Sequence, residues 1–123
     1  MIHASAVLHP TAVVHESAVI AAGVRIGPYC VIGAEVAIGE GCELLSHVCM
    51  EGPLRVGPNN KFFPYSSIGL VPQDKKFNGE RTETVIGQGN TFREFITVNR
   101  GTAGGGGVTS IGDDNWKIGR AHV

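Results

Sequence analysis

The sequence predicts an all-β chain wound as a parallel solenoid of triangular coils. The main observation is an apolar residue at every sixth position without a slip of register: Ile2, Leu8, Val14, Ile20, Ile26, Ile32, Ile38, Leu44, Met50, Val56, Phe62 and Ile68. The position after it is often small, as at Ala21, Gly27, Gly33, Gly39, Gly57 and Gly69. Four places after it stands another small or apolar residue, as at Ala6, Ala12, Ala18, Val24, Cys30, Val36, Cys42 and Val48. At 42% apolar composition, such an unbroken run in any phase has a chance probability of about 10⁻⁴, so the period is a true repeat.

A period of six matches neither the 3.6 of a helix nor the 2 of a plain strand. One short strand and one tight corner per hexad do match it. The branched residue points inward, and the small residue after it is expected to ease the bend. Three hexads close a triangular coil of about 18 residues, and successive coils stack as parallel sheets. No coil can bury its apolar row alone. Stacking buries each Ile or Val for about 1.5–3 kcal/mol, which offsets ordering entropy only over several coils.

Taken in order, residues 2–73 supply four coils. The first is rich in small residues, as suits a terminal coil. IGPYCV, IGAEVA and IGEGCE follow the pattern most closely, and LLSHVC, MEGPLR, VGPNNK and FFPYSS keep the register with bulkier residues. The pattern stops at PQDKKFNGERTET (72–84), which is charged and turn-prone. It resumes at Ile86, Phe92 and Val98, stops again at TAGGGGVTS (102–110), and restarts at Ile111. The predicted organisation is a β-helix over 1–116 with loop excursions at 72–85 and 102–110. Insertions in a solenoid emerge on one side and carry function, because the scaffold between them is generic. The next inward position is Lys117, where an unpaired ammonium would cost several kcal/mol to bury. Residues 117–123, KIGRAHV, therefore read as a tail foreign to the repeat, the mark of a truncation or a sequence artefact.

Composition narrows the function classes. The 123 residues carry a net charge of −1 and eighteen glycines, which suits a turn-rich β structure and not a nucleic-acid binder. No apolar run approaches the ~18 residues of a membrane span. The opening MIHASAVLHP lacks the basic region and apolar core of a signal peptide. Cys30, Cys42 and Cys49 read as small core or corner thiols kept reduced in a cytosol, with no Cys-x-x-Cys spacing for zinc. His3, His9 and His15 each follow an inward residue by one position. They should therefore leave three different corners, and no chelate is expected of them.

The chemistry is expected in the interruptions. Gln73, Asp74, Lys75 and Lys76 make a polar cluster, readable alone as a solvated loop. Arg100 precedes the glycine run and suits a phosphate or carboxylate clamp, or covers an apolar edge with its stem. His47 and His122, each taken alone, are more often structural than catalytic.

The hexads, SIGLVPQDKKFNGE (67–80), TVNRGT with the glycine run (97–107) and SIGDDNW (110–116) resemble the UDP-N-acetylglucosamine O-acyltransferases. The hexads are common to many acetyltransferases and to γ-class carbonic anhydrases, whereas the loop sequences are far more specific. The resemblance implies a left-handed parallel β-helix followed by a C-terminal helical domain, in a homotrimer with active sites between subunits. It implies a cytoplasmic enzyme that, without metal or cofactor, transfers a 3-hydroxyacyl group from acyl carrier protein to the 3-hydroxyl of UDP-N-acetylglucosamine. This is the first step of lipid A biosynthesis. It places Asp74 and Lys76 on the nucleotide sugar, with Gln73 beside them, and makes His122 the first histidine of an "H-hydrophobic-Ala-His-Asp" segment. The second histidine, the general base, falls beyond Val123, so no catalytic residue is expected within this sequence and the chain alone is expected to be inactive. The alternatives are another hexapeptide-repeat acyltransferase, a γ-type carbonic anhydrase, which would need three converging histidines, or a solenoid with no enzymatic role.

Overall fold

The computed structural model describes residues 1–70, 82–99 and 107–118. No residue described is helical. Sixteen short strands stack into three parallel sheets. Face one holds β1 (Val7–Leu8), β4 (Arg25–Ile26), β7 (Glu43–Leu44), β10 (Lys61–Phe62), β13 (Thr91–Phe92) and β16 (Trp116–Lys117). Face two holds β2 (Val13–Val14), β5 (Val31–Ile32), β8 (Cys49–Met50), β11 (Ser67–Leu70) and β14 (Thr97–Asn99). Face three holds β3 (Val19–Ile20), β6 (Val36–Ile38), β9 (Leu54–Val56), β12 (Glu83–Ile86) and β15 (Val108–Ile111). Each strand pairs with the one a full coil away, as in Ile26↔Leu44 and Ile32↔Met50. The result is the left-handed parallel β-helix. Strands of two residues accumulate little twist, so the usual right-handed bias of parallel crossovers has little hold on them.

The inward row is the core. Ile20 through Ile68, then Ile86, Phe92, Val98 and Ile111, are all buried. Phe62 and Phe92 stack with ring centroids 4.7 Å apart. The residues four places after the inward row fill the corners, which is why Val24, Cys30, Val36, Cys42 and Val48 are also buried. Burial pushes the Cys30 and Cys42 thiols above their ordinary range. Cys49 instead sits half-buried on the outside of face two. Lys117 does occupy the inward register, paired with Phe92, but it is only half-buried, so its ammonium is not sealed in the core.

The small residue after the inward one has a different task from the one expected. Gly27 and Gly39 do not have positive φ; a Cβ there would run into the main chain of the coil above, at Leu45 and Gly57. The bend is made two residues later, where Gly23, Tyr29, Glu35, Gly41, His47, Asn59, Tyr65, Gly89, Phe95 and Asp114 are left-handed. The glycine after the inward residue thus permits close stacking, and the strained turn falls on whatever residue stands third.

Two boundaries also differ from the sequence reading. Glu83–Val85 and Val108–Ser110, counted there with the excursions, are strand. Thr84 and Ile86 point inward, as do Thr109 and Ile111. That alternation was hidden because threonine does not register as apolar.

Candidate functional site

Both excursions leave from face two and return to face three. Leu70 ends β11 and Glu83 opens β12; Asn99 ends β14 and Val108 opens β15. They therefore share one corner, which the repeat alone could not assign. Gln73, Asp74, Lys76 and Arg100 fall within these excursions, and His122 near the end of the chain; all five lie outside the described residues.

The floor of that corner is irregular. Beneath the first excursion, the Gly52–Pro53 peptide is cis, and the Thr84 N–H donates to Pro53 O at 3.0 Å. The pairing of β11 with β14 slips between Ile68 and Leu70, beside left-handed Gly69, whose missing Cβ leaves room for the Glu51 carbonyl. The two excursions are tied at their bases, because the Glu83 N–H donates to Gly107 O at 2.9 Å and β12 runs in register with β15 over four residues. Thr82, Thr84 and Thr109 are fully buried here, and their hydroxyls have no hydrogen-bond partner. Beside the corner, a shallow hollow on face three is lined by Glu35, Arg55 and Glu83. Among the described residues, no group of three His, Cys, Asp or Glu side chains stands close enough to hold a metal ion.

The other two corners are regular. Between faces three and one, an asparagine ladder links the upper coils. The Asn60 Nδ2 donates to Gly57 O and Gly87 O at 2.8 and 2.7 Å, and its Oδ1 accepts from Asn90 N–H at 2.8 Å. Asn90 repeats this, donating to Gly112 O and accepting from Asn115 N–H, both at 2.8 Å. Between faces one and two, the left-handed residues Tyr29, His47, Tyr65 and Phe95 stack with centroids 5.2, 4.9 and 5.4 Å apart. His47 is thus held between two tyrosines, in keeping with a structural histidine. Arg93 lies over Phe63, 3.9 Å from its centroid, and is paired with Glu94 at 3.0 Å. The sequence reading missed both ladders. Their signal was recurrence of asparagine or aromatic residues at the same place in successive coils.

A hexapeptide prism whose irregularities, among the described residues, gather at one corner defines the class: the hexapeptide-repeat proteins. The bacterial transferase hexapeptide family (six repeats) matches residues 17–52. The acyl-[acyl-carrier-protein]–UDP-N-acetylglucosamine O-acyltransferase of Xanthomonas euvesicatoria is 53% identical over 117 residues, which are 95% of this chain and 44% of that protein. LpxA from Acinetobacter baumannii superposes with a TM-score of 0.92 at 44% identity, over 95% of this chain and 45% of its own. The UDP-N-acetylglucosamine O-acyltransferase of Moraxella catarrhalis superposes with a TM-score of 0.91 at 40% identity, over 94% of this chain and 45% of its own. The chain belongs to the UDP-N-acetylglucosamine O-acyltransferase family, and it spans less than half the length of these relatives.

Proposed function

We propose that the protein to which this chain belongs transfers a 3-hydroxyacyl group from acyl carrier protein to the 3-hydroxyl of UDP-N-acetylglucosamine, opening lipid A biosynthesis in the cytoplasm. The observation that carries the reading is the 53% identity to a relative of that name across nearly the whole chain. The placement of both excursions at one corner supports it, because a solenoid gathers its specific residues where insertions leave it.

In this reading Asp74 and Lys76, with Gln73 beside them, and His122 hold the nucleotide sugar. The sugar hydroxyl attacks the thioester carbonyl carbon while a histidine outside these 123 residues removes its proton. A main-chain N–H stabilises the oxyanion, which collapses and expels the acyl carrier thiolate, to which the histidine returns the proton. No metal or cofactor takes part. The working protein is a homotrimer whose sites lie between subunits. The 123 residues alone lack activity, since loss of a general base typically costs about 10²–10⁴-fold.

The experiment is transfer from 3-hydroxyacyl carrier protein to UDP-N-acetylglucosamine, run with the 123-residue chain, with a chain completed to the length of its relatives, and with Asp74→Ala in the latter. The reading expects activity from the completed chain only, lowered by Asp74→Ala at an unchanged melting temperature. Appreciable turnover by the 123 residues would move the base to His122, and an unaffected Asp74→Ala would return that stretch to a solvated loop.

A further inference from the structure

The first coil is joined to the second by a device found at no other junction among the described residues. At each corner of coil one stands a histidine followed two residues later by a hydroxyl: His3 and Ser5, His9 and Thr11, His15 and Ser17. Each makes a four-residue turn, closed by Ala6 N–H to His3 O, Ala12 N–H to His9 O and Ala18 N–H to His15 O at 2.9–3.0 Å. The Nδ1 of each imidazole accepts from the main-chain N–H two residues on, at 3.0, 3.2 and 3.0 Å. The hydroxyl of that same residue lies 2.8, 2.8 and 2.9 Å from Nδ1. The imidazole thus does what the carbonyl of an Asx turn does.

The hydroxyl oxygens then reach upward. Ser5 accepts from Gly23 N–H, Thr11 from Tyr29 N–H and Ser17 from Glu35 N–H, at 3.0–3.1 Å. In higher coils the equivalent amides go to main-chain carbonyls, as with Gly41 to Ala22 O, His47 to Pro28 O and Asn59 to Glu40 O. Among the described residues, only between coils one and two do all three corner contacts pass through a side chain. Since Nδ1 accepts a main-chain N–H, the ring proton must sit on Nε2, and the hydroxyl hydrogen is directed at Nδ1.

We propose that His3, His9 and His15 form an acid-sensitive clasp that holds coil one to coil two while the imidazoles are neutral and loosens it when they are protonated. This is independent of the acyl-transfer reading. Imidazole changes charge between about pH 5 and 8. The added proton goes to Nδ1, which turns from acceptor to donor. The N–H groups of Ser5, Thr11 and Ser17 lose their partner, and the hydroxyl hydrogen is displaced from Nδ1. The clasp contact is kept at best by Nδ1–H donating to an oxygen already engaged by the coil above. The charged groups around the three rings are mixed: the Met1 ammonium on Ala18 O, Glu16 next to His15, Arg25 and Glu43 in the hollow that His9 lines, and Glu35 above Ser17. No single charge dominates the collar.

The test is amide hydrogen exchange of the 123-residue chain at about pH 8 and about pH 5.5, within the range in which imidazole titrates. Protection factors normalised for intrinsic exchange are compared with those of the triple variant His3→Asn/His9→Asn/His15→Asn. Asparagine keeps a turn acceptor that does not titrate. Protection at Gly23, Tyr29 and Glu35 should fall about tenfold in the wild type on acidification, the loss of roughly one hydrogen bond each. Gly41, His47 and Asn59 should not change, and the variant should be flat. Equal falls in both proteins, or none in the wild type, would overturn the proposal. Nitrogen NMR of the unmodified chain gives a second reading: protons on Nδ1 at about pH 8, above the ordinary imidazole range, would also overturn it.

Discussion

Asn90→Ala is the substitution whose effect follows most directly from the geometry. Asn90 is fully buried. Its Nδ2 donates to Gly112 O and its Oδ1 accepts from Asn115 N–H, each at 2.8 Å. Alanine leaves both main-chain groups without partners inside the three–one corner. A buried polar group stripped of its partner costs about 1–3 kcal/mol, but Gly112 is exposed and Asn115 half-buried, so water replaces part of both bonds and the loss should be about 1–3 kcal/mol for the pair. Its own N–H still reaches Asn60 Oδ1, so the lower ladder survives and the loss falls on the coil that holds Ile111 and Trp116. Urea unfolding of the 123-residue chain, followed by circular dichroism, should show a midpoint well below wild type. Exchange should become fast first at Asn115 and Thr91, whose N–H donates to Asn115 O. Asn60→Ala should be worse, since that side chain serves Gly57, Gly87 and Asn90 at once. The double variant should come close to the sum, because Asn90→Ala keeps the main-chain N–H that donates to Asn60 Oδ1 and the two side chains have no hydrogen bond in common. A loss under about 1 kcal/mol for Asn90→Ala, the worth of one ordinary hydrogen bond, would refute the ladder as a stabilising element.

Other expectations follow from burial. Ile32→Asp, a carboxylate in the core, should lower stability by several kcal/mol, whereas Ala34→Asp on the exposed corner should be close to neutral; thermal melts of both check the register. Thr84→Val removes a hydroxyl that is buried without a partner at nearly unchanged volume, so it should be neutral or stabilising by about 1 kcal/mol, and a loss in urea titration would reveal a hidden partner. Native alkylation followed by mass analysis should modify Cys49 first, because Cys30 and Cys42 are buried with their thiols held protonated. Because those two thiols titrate above the ordinary 9.0 when folded, unfolding releases protons there. Stability should therefore fall as pH rises past 9.0, and a flat profile in alkaline urea titrations would contradict the burial.

The inward row was fully legible because one side-chain property, apolarity, repeats at a fixed interval. Its register in the sequence is its register in the sheets, from Ile20 to Ile111. What failed to show was anything carried by main-chain geometry. Left-handed φ falls on Tyr29, Glu35, Tyr65 and Phe95 as readily as on Gly23 and Gly41, so residue type could not locate the bends. Gly27, Gly39 and Gly57, which looked like hinges, are spacers against the next coil, whereas Gly69 is left-handed. The Asn60, Asn90 and Asn115 ladder was obscured because the excursions change its spacing from one coil to the next. The corner that bears the excursions was inferable only as a shared side. Assigning it to faces two and three required the strand pairing.

Why the excursions emerge there follows from what occupies the other corners. Between faces three and one, Asn60 and Asn90 each span to the coil above through their side-chain amides. Between faces one and two, four rings stack at 4.9–5.4 Å. Either ladder depends on a constant number of residues per corner, since one added residue would move an asparagine or a ring out of line with its neighbours. The two–three corner has no such ladder among the described residues. Its strands already slip at Ile68 and Leu70, and its threonine hydroxyls bind nothing. At this corner Ser17 reaches Glu35 N–H below the excursions; among the described residues, extra residues higher up displace no asparagine or ring ladder, while β12 and β15 rejoin the sheet over four residues and restore the register above. The ladders thus do more than stabilise the prism. They restrict length variation, and with it the residues that differ from the repeat, to the single edge where Asp74 and Lys76 are proposed to meet the substrate.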